Sequence, residues 1–358
     1  MEIFETLKQL SETPGPSGNE HKIAQTITDL WQPYADEIEV DRIGSVIAVK
    51  HGQGVEPRPQ LLLAAHLDEI GLMVKDISDH QGCGFMRLTN VGGVDIRHLY
   101  GQTAVAHGKR DLVGVLGSLP GRMLPPERSN KPYGFKDLVL DVGMPADELR
   151  ELVDIGDFVS FRQPLRKLQG SLVTGKALDN RASVMAVTAC FDYLNGRSHA
   201  WDLIVVATAQ EETRLLGAYT TAFAKKPDAA VAIDVTFGKG AMLNETNTFN
   251  LGGGPVLGIG PNVHPGMHKA LKKSADKLEM KTQPETHTRG SGTDAFGLQV
   301  AREGIPTGLV SIPLRYMHTM VETIDTQDVE RVGRLLAEFL CSLDTEFLEN
   351  LSASMMEK

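Results

Sequence analysis

Leu61-Leu62-Leu63-Ala64-Ala65-His66 is the stretch from which the fold can be read. Its five leading residues are all apolar, without the alternation that one wet face would impose. A strand covered on both faces reads this way, as in a parallel sheet packed between helices. The run then stops on an imidazole. Similar segments follow. Leu203-Ile204-Val205-Val206-Ala207-Thr208-Ala209 leads through Gln210 into Glu211-Glu212, Ala230-Val231-Ala232-Ile233 ends on Asp234, and Gly308-Leu309-Val310-Ser311-Ile312 lies shortly before His318. Ligand sites in open α/β sheets gather beyond the carboxyl ends of the strands. These side chains are therefore expected along one rim.

Outward from these strands, residues 182–194, 215–224, 267–278 and 329–348 read as helices. Strand–helix alternation of this kind predicts an α/β fold with a mainly parallel sheet flanked by helices. Upstream, Ser17-Gly18-Asn19-Glu20 fits a capping box opening a helix with Ile23, Ala24, Ile27, Leu30 and Trp31 on one face. Residues 37–40 and 45–50 read as strands. The texture changes after about residue 70. Short β-like runs at 102–106, 113–116 and 158–161 are punctuated by glycine, and 124–132, with three prolines, reads as a loop. The expected organisation is one α/β domain, residues 1–70 and 165–358, interrupted by a small all-β domain at 71–164.

The chain has 358 residues, 46 acidic against 36 basic, for a net charge of −10. That balance argues against a general nucleic-acid binder, which is usually basic. Cys83, Cys190 and Cys341 form no CxxC pair and no disulfide framework, so they read as reduced thiols of a cytoplasmic protein. Met1-Glu2-Ile3-Phe4-Glu5 lacks a basic region before an apolar stretch, and no run approaches the roughly 18 apolar residues of a membrane span. Neither a signal peptide nor a membrane association is expected.

A two-metal hydrolytic centre needs neutral imidazoles and carboxylates as ligands, often one carboxylate bridging both ions, and a general base free of the metal. His66, Asp179, Glu212, Asp234 and His318 supply the ligand types, and Glu211 is a candidate base. Asp68, two residues after His66, can accept the second imidazole N–H and fix its tautomer. Each residue also has a plainer reading. Asp179, in Gly175-Lys176-Ala177-Leu178-Asp179-Asn180-Arg181 just before a helix, reads as an N-cap. Asp234 can cap a turn, Glu211-Glu212 can be an exposed acidic loop, and His318 can be structural. His51, His80, His107, His264 and His287 lack comparable context and read as surface or core residues.

Taken together, Pro14-Gly15-Pro16-Ser17-Gly18-Asn19-Glu20, His66-Leu67-Asp68-Glu69-Ile70-Gly71, the Gly175–Arg181 run, Gln210-Glu211-Glu212, Gly292-Thr293-Asp294-Ala295 and Ser311-Ile312-Pro313-Leu314-Arg315-Tyr316-Met317-His318-Thr319 form a pattern. The chain resembles the tetrahedral (TET-type) dinuclear-metal aminopeptidases, the family that includes glutamyl aminopeptidase. The resemblance runs nearly end to end. It implies a zinc-peptidase-like catalytic domain in which His66 and Asp234 hold one metal, Glu212 and His318 the other, and Asp179 bridges both. It makes Glu211 the general base and proton donor, with Asp68 orienting His66. It marks Asp179–Asn180 as a candidate cis peptide. It also implies dimerisation through a β-barrel-like insert, with six dimers forming a dodecamer. Two divalent ions are implied, zinc first, with cobalt or manganese also suited to the donor set.

Two departures are visible. The family usually continues Val-Gly-Leu-Arg-Gly after the glutamate pair, where this chain has Thr213-Arg214-Leu215-Leu216-Gly217, and Met320 stands where proline is common. The implied activity is removal of N-terminal residues from short peptides through a metal-activated water. A metal-dependent deacylase is the nearest alternative. A cellulase-like glycosidase is a weaker one, because its two carboxylic acids need no imidazole ligands. The substrate pocket is expected from loops at 236–262 and 288–298, where Arg289 hints at acidic substrates.

Overall fold

The computed structural model describes residues 2–123, 131, 133–241 and 247–354. The loop expected at 124–132 falls almost wholly outside them. The strands in chain order are β1 (Glu37–Val40), β2 (Val46–Lys50), β3 (Gln60–His66), β4 (Gly71–His80), β5 (Cys83–Val91), β6 (Thr103–His107), β7 (Asp111–Gly117), β8 (Val139–Asp141) and β9 (Phe158–Phe161). They continue as β10 (Arg166–Lys167), β11 (Leu172–Gly175), β12 (Asp202–Thr208), β13 (Ala229–Phe237), β14 (Val256–Ile259), β15 (Gln283–Thr286), β16 (Thr307–Arg315) and β17 (Glu322–Asp325). Two sheets result. Eleven strands form one sheet with the order β1-β2-β12-β3-β13-β16-β17-β11-β10, to which β14 and β15 attach beside β16, and β4-β5-β8-β7-β6-β9 close into a barrel.

The large sheet is mixed, which corrects the expectation of a mainly parallel one. Its middle pairs, β12–β3, β3–β13 and β13–β16, are parallel. On either side, β1–β2, β2–β12, β16–β17, β17–β11 and β11–β10 are antiparallel. The flanking strands are short and only partly apolar, so their direction left little trace in composition. The central strands behave as read. Leu61, Leu63 and Ala65 face one core with Val205, Ile233 and Val310, while Leu62 and Ala64 face a second with Val206, Ala232 and Leu309.

The first face is covered by helices α1 (Ile3–Glu12), α2 (His21–Trp31) and α3 (Leu178–Leu194), and by α4 (Pro265–Lys277) and α5 (Thr326–Ser342). Helices at Leu216–Lys225 and Asp294–Gln299 cover the second. The chain from 329 to 348 is not one helix: α5 stops at Ser342, and another begins at Phe347. The capping box is not formed either. Helix α2 starts at His21, and the Glu20 carboxylate instead accepts the Gly18 and Gln210 backbone N–H groups at 2.8 and 3.2 Å. Burial pushes its pKa up to about 7.

The barrel has its own core, built from alternate residues of its strands: Leu72 and Val74, Met86 and Leu88, Leu112 and Leu116. Met320 is buried in that core. The residue that departs from the family's proline thus ties the His318 loop to the barrel.

Candidate metal centre

Strand register brings the site together. In the parallel ladder Thr208 is level with His66, and Ala232 is level with Ala64, so Asp234 comes level with His66 at the same rim. Asp234 itself lies beside Ser311. Glu211 and Glu212 follow at once on the short helix Glu211–Arg214.

Asp179 is not an N-cap. It and Asn180 have non-helical backbone angles at the start of α3, and the bond between them is cis. The Asp179 carboxylate stands between two imidazoles, with Oδ1 3.1 Å from His66 Nε2 and Oδ2 3.4 Å from His318 Nε2. His318 Nε2 is also 3.5 Å from Glu212 Oε1. His66 Nε2 lies 3.8 Å from Glu211 Oε2 and 4.0 Å from Asp234 Oδ1. Within each of two sets, His66–Glu211–Asp234 and His66–Asp179–Glu212, the candidate ligand atoms lie within 4.8 Å of one another.

The six candidate ligands and base named from the sequence therefore converge, with Asp68, the seventh, beneath them. Its carboxylate accepts the Glu211 and Glu212 backbone N–H groups, each at 3.1 Å, and lies 3.4 Å from His66 Nδ1. The Asp68 backbone oxygen is slightly nearer that nitrogen, at 3.2 Å. Asp68 thus shapes the glutamate turn as much as the imidazole.

The donor chemistry fits divalent cations. Four carboxylates and two imidazoles share a largely buried rim, and buried charge of one sign is costly unless a cation offsets it. Proton affinities express the same imbalance. Burial pushes Glu211 up to about 11, with Asp234, Asp294 and Asp68 adding to the effect and His66 opposing it. Burial, then the Asp179 charge, pushes Glu212 up to about 8. Burial disfavours a charged His318, yet Asp179 and Glu212 hold it at about 10. Burial also opposes the His66 imidazolium, but Glu211, Asp179 and Asp68 raise it well above the ordinary range. A divalent ion is the natural replacement for protons held this tightly.

The backbone around the rim is held in unusual shapes. Gln210, Leu215, Tyr316 and His318 all have φ between 58° and 61°, a region that non-glycine residues seldom occupy and that clusters at functional sites.

Sequence reading missed several supporting residues. Glu322, buried on β17, accepts the Asp179 N–H at 3.0 Å and the His318 N–H at 2.9 Å. Asp294 bonds the Thr208 hydroxyl behind Glu211. A buried Lys176–Glu69 pair at 2.7 Å, with Glu69 also accepting the Gly15 N–H, joins three of the quoted motifs beneath the site. Glu322 had no signal in sequence, being a lone acid in a β-rich stretch. Asp294 lay inside a recognised motif without an assigned role.

A cavity of about 460 Å³ opens over the cluster, lined also by Thr213, Arg214, Phe237, Glu285, His287 and Met317. His287 is therefore a wall residue, which corrects its reading as surface or core. Arg289 is exposed and is not among the lining residues. In the altered loop, the Thr213 hydroxyl lies 3.2 Å from the Ser17 hydroxyl, and Arg214 lines the cavity.

Comparison with known proteins agrees with this geometry. The family model "M42 glutamyl aminopeptidase" matches residues 44–335. A lysyl aminopeptidase of Pyrococcus furiosus is 35% identical over 345 residues, covering 94% of this chain and 96% of its own. The crystal structure of a TET aminopeptidase from a marine-sediment thaumarchaeote superposes with a TM-score of 0.91 at 29% identity, covering 98% of this chain and all of that one. The TET1 peptidase of Pyrococcus horikoshii, which can assemble into a tetrahedron or a large octahedral shell, matches at TM-score 0.83 and 31% identity, over 96% of this chain and 100% of its own. The chain is a peptide hydrolase of the aminopeptidase type, and it belongs to the M42 glutamyl aminopeptidase family.

Proposed function

We propose that the rim removes N-terminal residues from short peptides with two divalent ions, zinc first among them, and with Glu211 as general base. The observation that carries this reading is the Asp179 carboxylate, with one oxygen toward His66 and the other toward His318. His66 and Asp234 would hold one ion, Glu212 and His318 the other, and Asp179 would serve both. Such ions supply Lewis acidity toward the scissile carbonyl and make the attacking water acidic.

The remaining steps fall to the protein's own groups. Glu211 accepts a proton from the attacking water and delivers it to the leaving amine. Asp68 holds the two glutamate N–H groups and so fixes where the Glu211 carboxylate begins.

Residues 1–70 and 165–358 would form the catalytic domain, with 71–164 as an inserted dimerisation module. Val113 and Val115, half-exposed on the outer face of β7, are suited to such a contact. Six dimers would give a dodecamer, by analogy with the tetrahedral relatives. Among the described residues no helix is long and apolar enough to cross a membrane, and a cytoplasmic location suits the three unpaired cysteines.

The test is release of p-nitroaniline from Leu, Glu, Lys and Ala substrates, before and after EDTA and with zinc or cobalt restored. Metal-dependent release supports the reading. Chelator-insensitive turnover of a glucan would favour the glycosidase, and release from N-acyl substrates alone would favour the deacylase.

A further inference from the structure

The barrel carries a hydrogen-bonded chain of three side chains, none of which lines the cavity over the metal centre. His107 ends β6 and Asp111 opens β7, directly opposite each other in the hairpin. Ser160 lies on β9, which pairs with β6 and sets Val105 opposite Ser160. Ala104, Ala106, Val159 and Phe161 point into the barrel core, so His107 and Ser160 share the outer face. His107 Nδ1 is 2.8 Å from Asp111 Oδ1, and His107 Nε2 is 2.8 Å from Ser160 Oγ. A carboxylate only accepts, so Nδ1 carries the ring proton and, in the neutral ring, Nε2 accepts the Ser160 O–H. Lys22 of α2 donates to the other Asp111 oxygen at 3.0 Å. All three residues line a second cavity, of about 630 Å³, where the barrel meets the rest of the chain. Arg162 lines it too; it follows Ser160 by two, and its N–H continues the ladder to Thr103, so it faces the same way. The wall holds one further acid, Glu12, whose Oε1 accepts the Leu165 N–H at 3.0 Å.

We propose that Asp111, His107 and Ser160 form a second hydrolytic centre, independent of metal, that cleaves small carboxylic esters. A hydroxyl bonded to a base that a carboxylate orients is the arrangement that activates a serine, on whichever fold it occurs. Ser160 Oγ attacks the ester carbonyl while its proton passes to His107 Nε2. Arg162, on the same face, is the cation that meets the oxyanion of the tetrahedral intermediate. Collapse breaks the bond between the acyl carbon and the alcohol oxygen. The alcohol leaves with the proton from Nε2, and the acyl group stays on Ser160. Water then gives a proton to Nε2 and attacks the acyl carbon. The carboxylic acid departs as Ser160 regains its proton. Asp111 keeps the proton on Nδ1 and offsets the charge of the imidazolium. Ester and water are the only reactants, so the centre owes nothing to the aminopeptidase site.

The test uses the full chain, zinc-loaded and EDTA-treated in parallel, in two measurements. The first is covalent labelling by a fluorophosphonate, with the modified residue located by peptide mass spectrometry. The natural chain should carry the adduct on Ser160 in both metal states. Ser160→Ala should abolish that adduct, and His107→Gln should slow its formation by about 10²–10⁴-fold, the range for loss of a general base. The second is release of p-nitrophenol from p-nitrophenyl acetate, which should persist in EDTA and fall in both variants. The site of the adduct is read on the natural chain, so the outcome does not depend on either variant folding. A hydrogen-bonded chain that only clasps the hairpin would leave Ser160 unreactive. The proposal is overturned by no adduct on Ser160, by labelling that is undiminished in His107→Gln, or by ester turnover that disappears with the metal. The aminopeptidase reading stands or falls separately, on the p-nitroanilide substrates.

Discussion

The Gly93 carbonyl accepts the Nδ1–H of His318 at 3.0 Å, so a loop of the barrel holds an imidazole of the candidate metal site. That bond leaves Nε2 directed at Asp179 and Glu212. Gly93 has to be glycine for this contact, because a β-carbon there would stand 2.6 Å from Nδ1. With Met320 buried in the barrel core, the His318 loop is gripped at two points by the barrel.

Gly93→Ala should therefore turn the imidazole away and weaken binding of the ion proposed at His318. Loss of an outer partner of a metal-ligating histidine typically costs about 10–100-fold in affinity. Competition titration with a zinc chelator checks this. Two undiminished sites in the variant would show that the barrel loop does not position His318.

Glu322→Ala should strand two backbone N–H groups, the buried one of Asp179 and the partly buried one of His318. Each orphaned group costs about 1–3 kcal/mol. The variant should unfold at lower denaturant and also hold metal less tightly, because both released residues are candidate ligands. A stability change below about 0.5 kcal/mol, the usual range for surface changes, would mean that the loop is held by other contacts.

Glu211→Gln should retain metal and lose turnover. General acid–base groups contribute about 10²–10⁴-fold, and kcat should fall within that range. His318→Ala should behave differently, with loss of an ion as the primary effect. Unreduced kcat in Glu211→Gln would remove this residue from the mechanism.

Without metal, the chain should lose stability as pH rises. Glu212, at about 8 against an ordinary 4.5, and His318, at about 10 against 6.5, bind protons more tightly folded than unfolded. Glu211, at about 11, acts in the same direction. The stabilisation is fully present below the unfolded pKa values and is lost as pH passes through the folded ones. Asp179 is shifted downward, so it is ionised in both states across this window. Thermal unfolding in EDTA should show Tm falling between about pH 6 and 9, and zinc should flatten that slope by replacing the protons. A Tm that climbs over this range in EDTA would contradict the electrostatics described here.

The central strands and the ligands at their ends were legible because burial on both faces demands continuous apolar residues. A polar residue closing such a run has few reasons to be there. His66, Glu211, Glu212 and Asp234 stood out in this way. The capping-box reading of Ser17 failed because the helix begins only at His21, and Glu20 accepts the Gly18 and Gln210 N–H groups instead of the Ser17 N–H. The parallel sheet was overcalled because β1, β10, β11 and β17 are four residues or shorter, too brief for a pattern to mark direction. Glu285 and His287 were missed because they fall between the two segments expected to form the pocket, Glu285 on β15 at the sheet's margin and His287 just past that strand's end.

What the chain determines by itself is local and periodic: which segments are buried on both faces, which side chains end them, and the excess of acidic groups that a cation must offset. The placement of Asp179 between two histidines, the support from Glu322 and Gly93, and the charge of the pocket wall were decided only in the tertiary structure. Those contacts join residues far apart in the chain, 143 positions for Glu322 and Asp179 and 225 for His318 and Gly93. Contacts at such separations are set by strand order, register and the seating of the barrel, for which no single segment carries a signal.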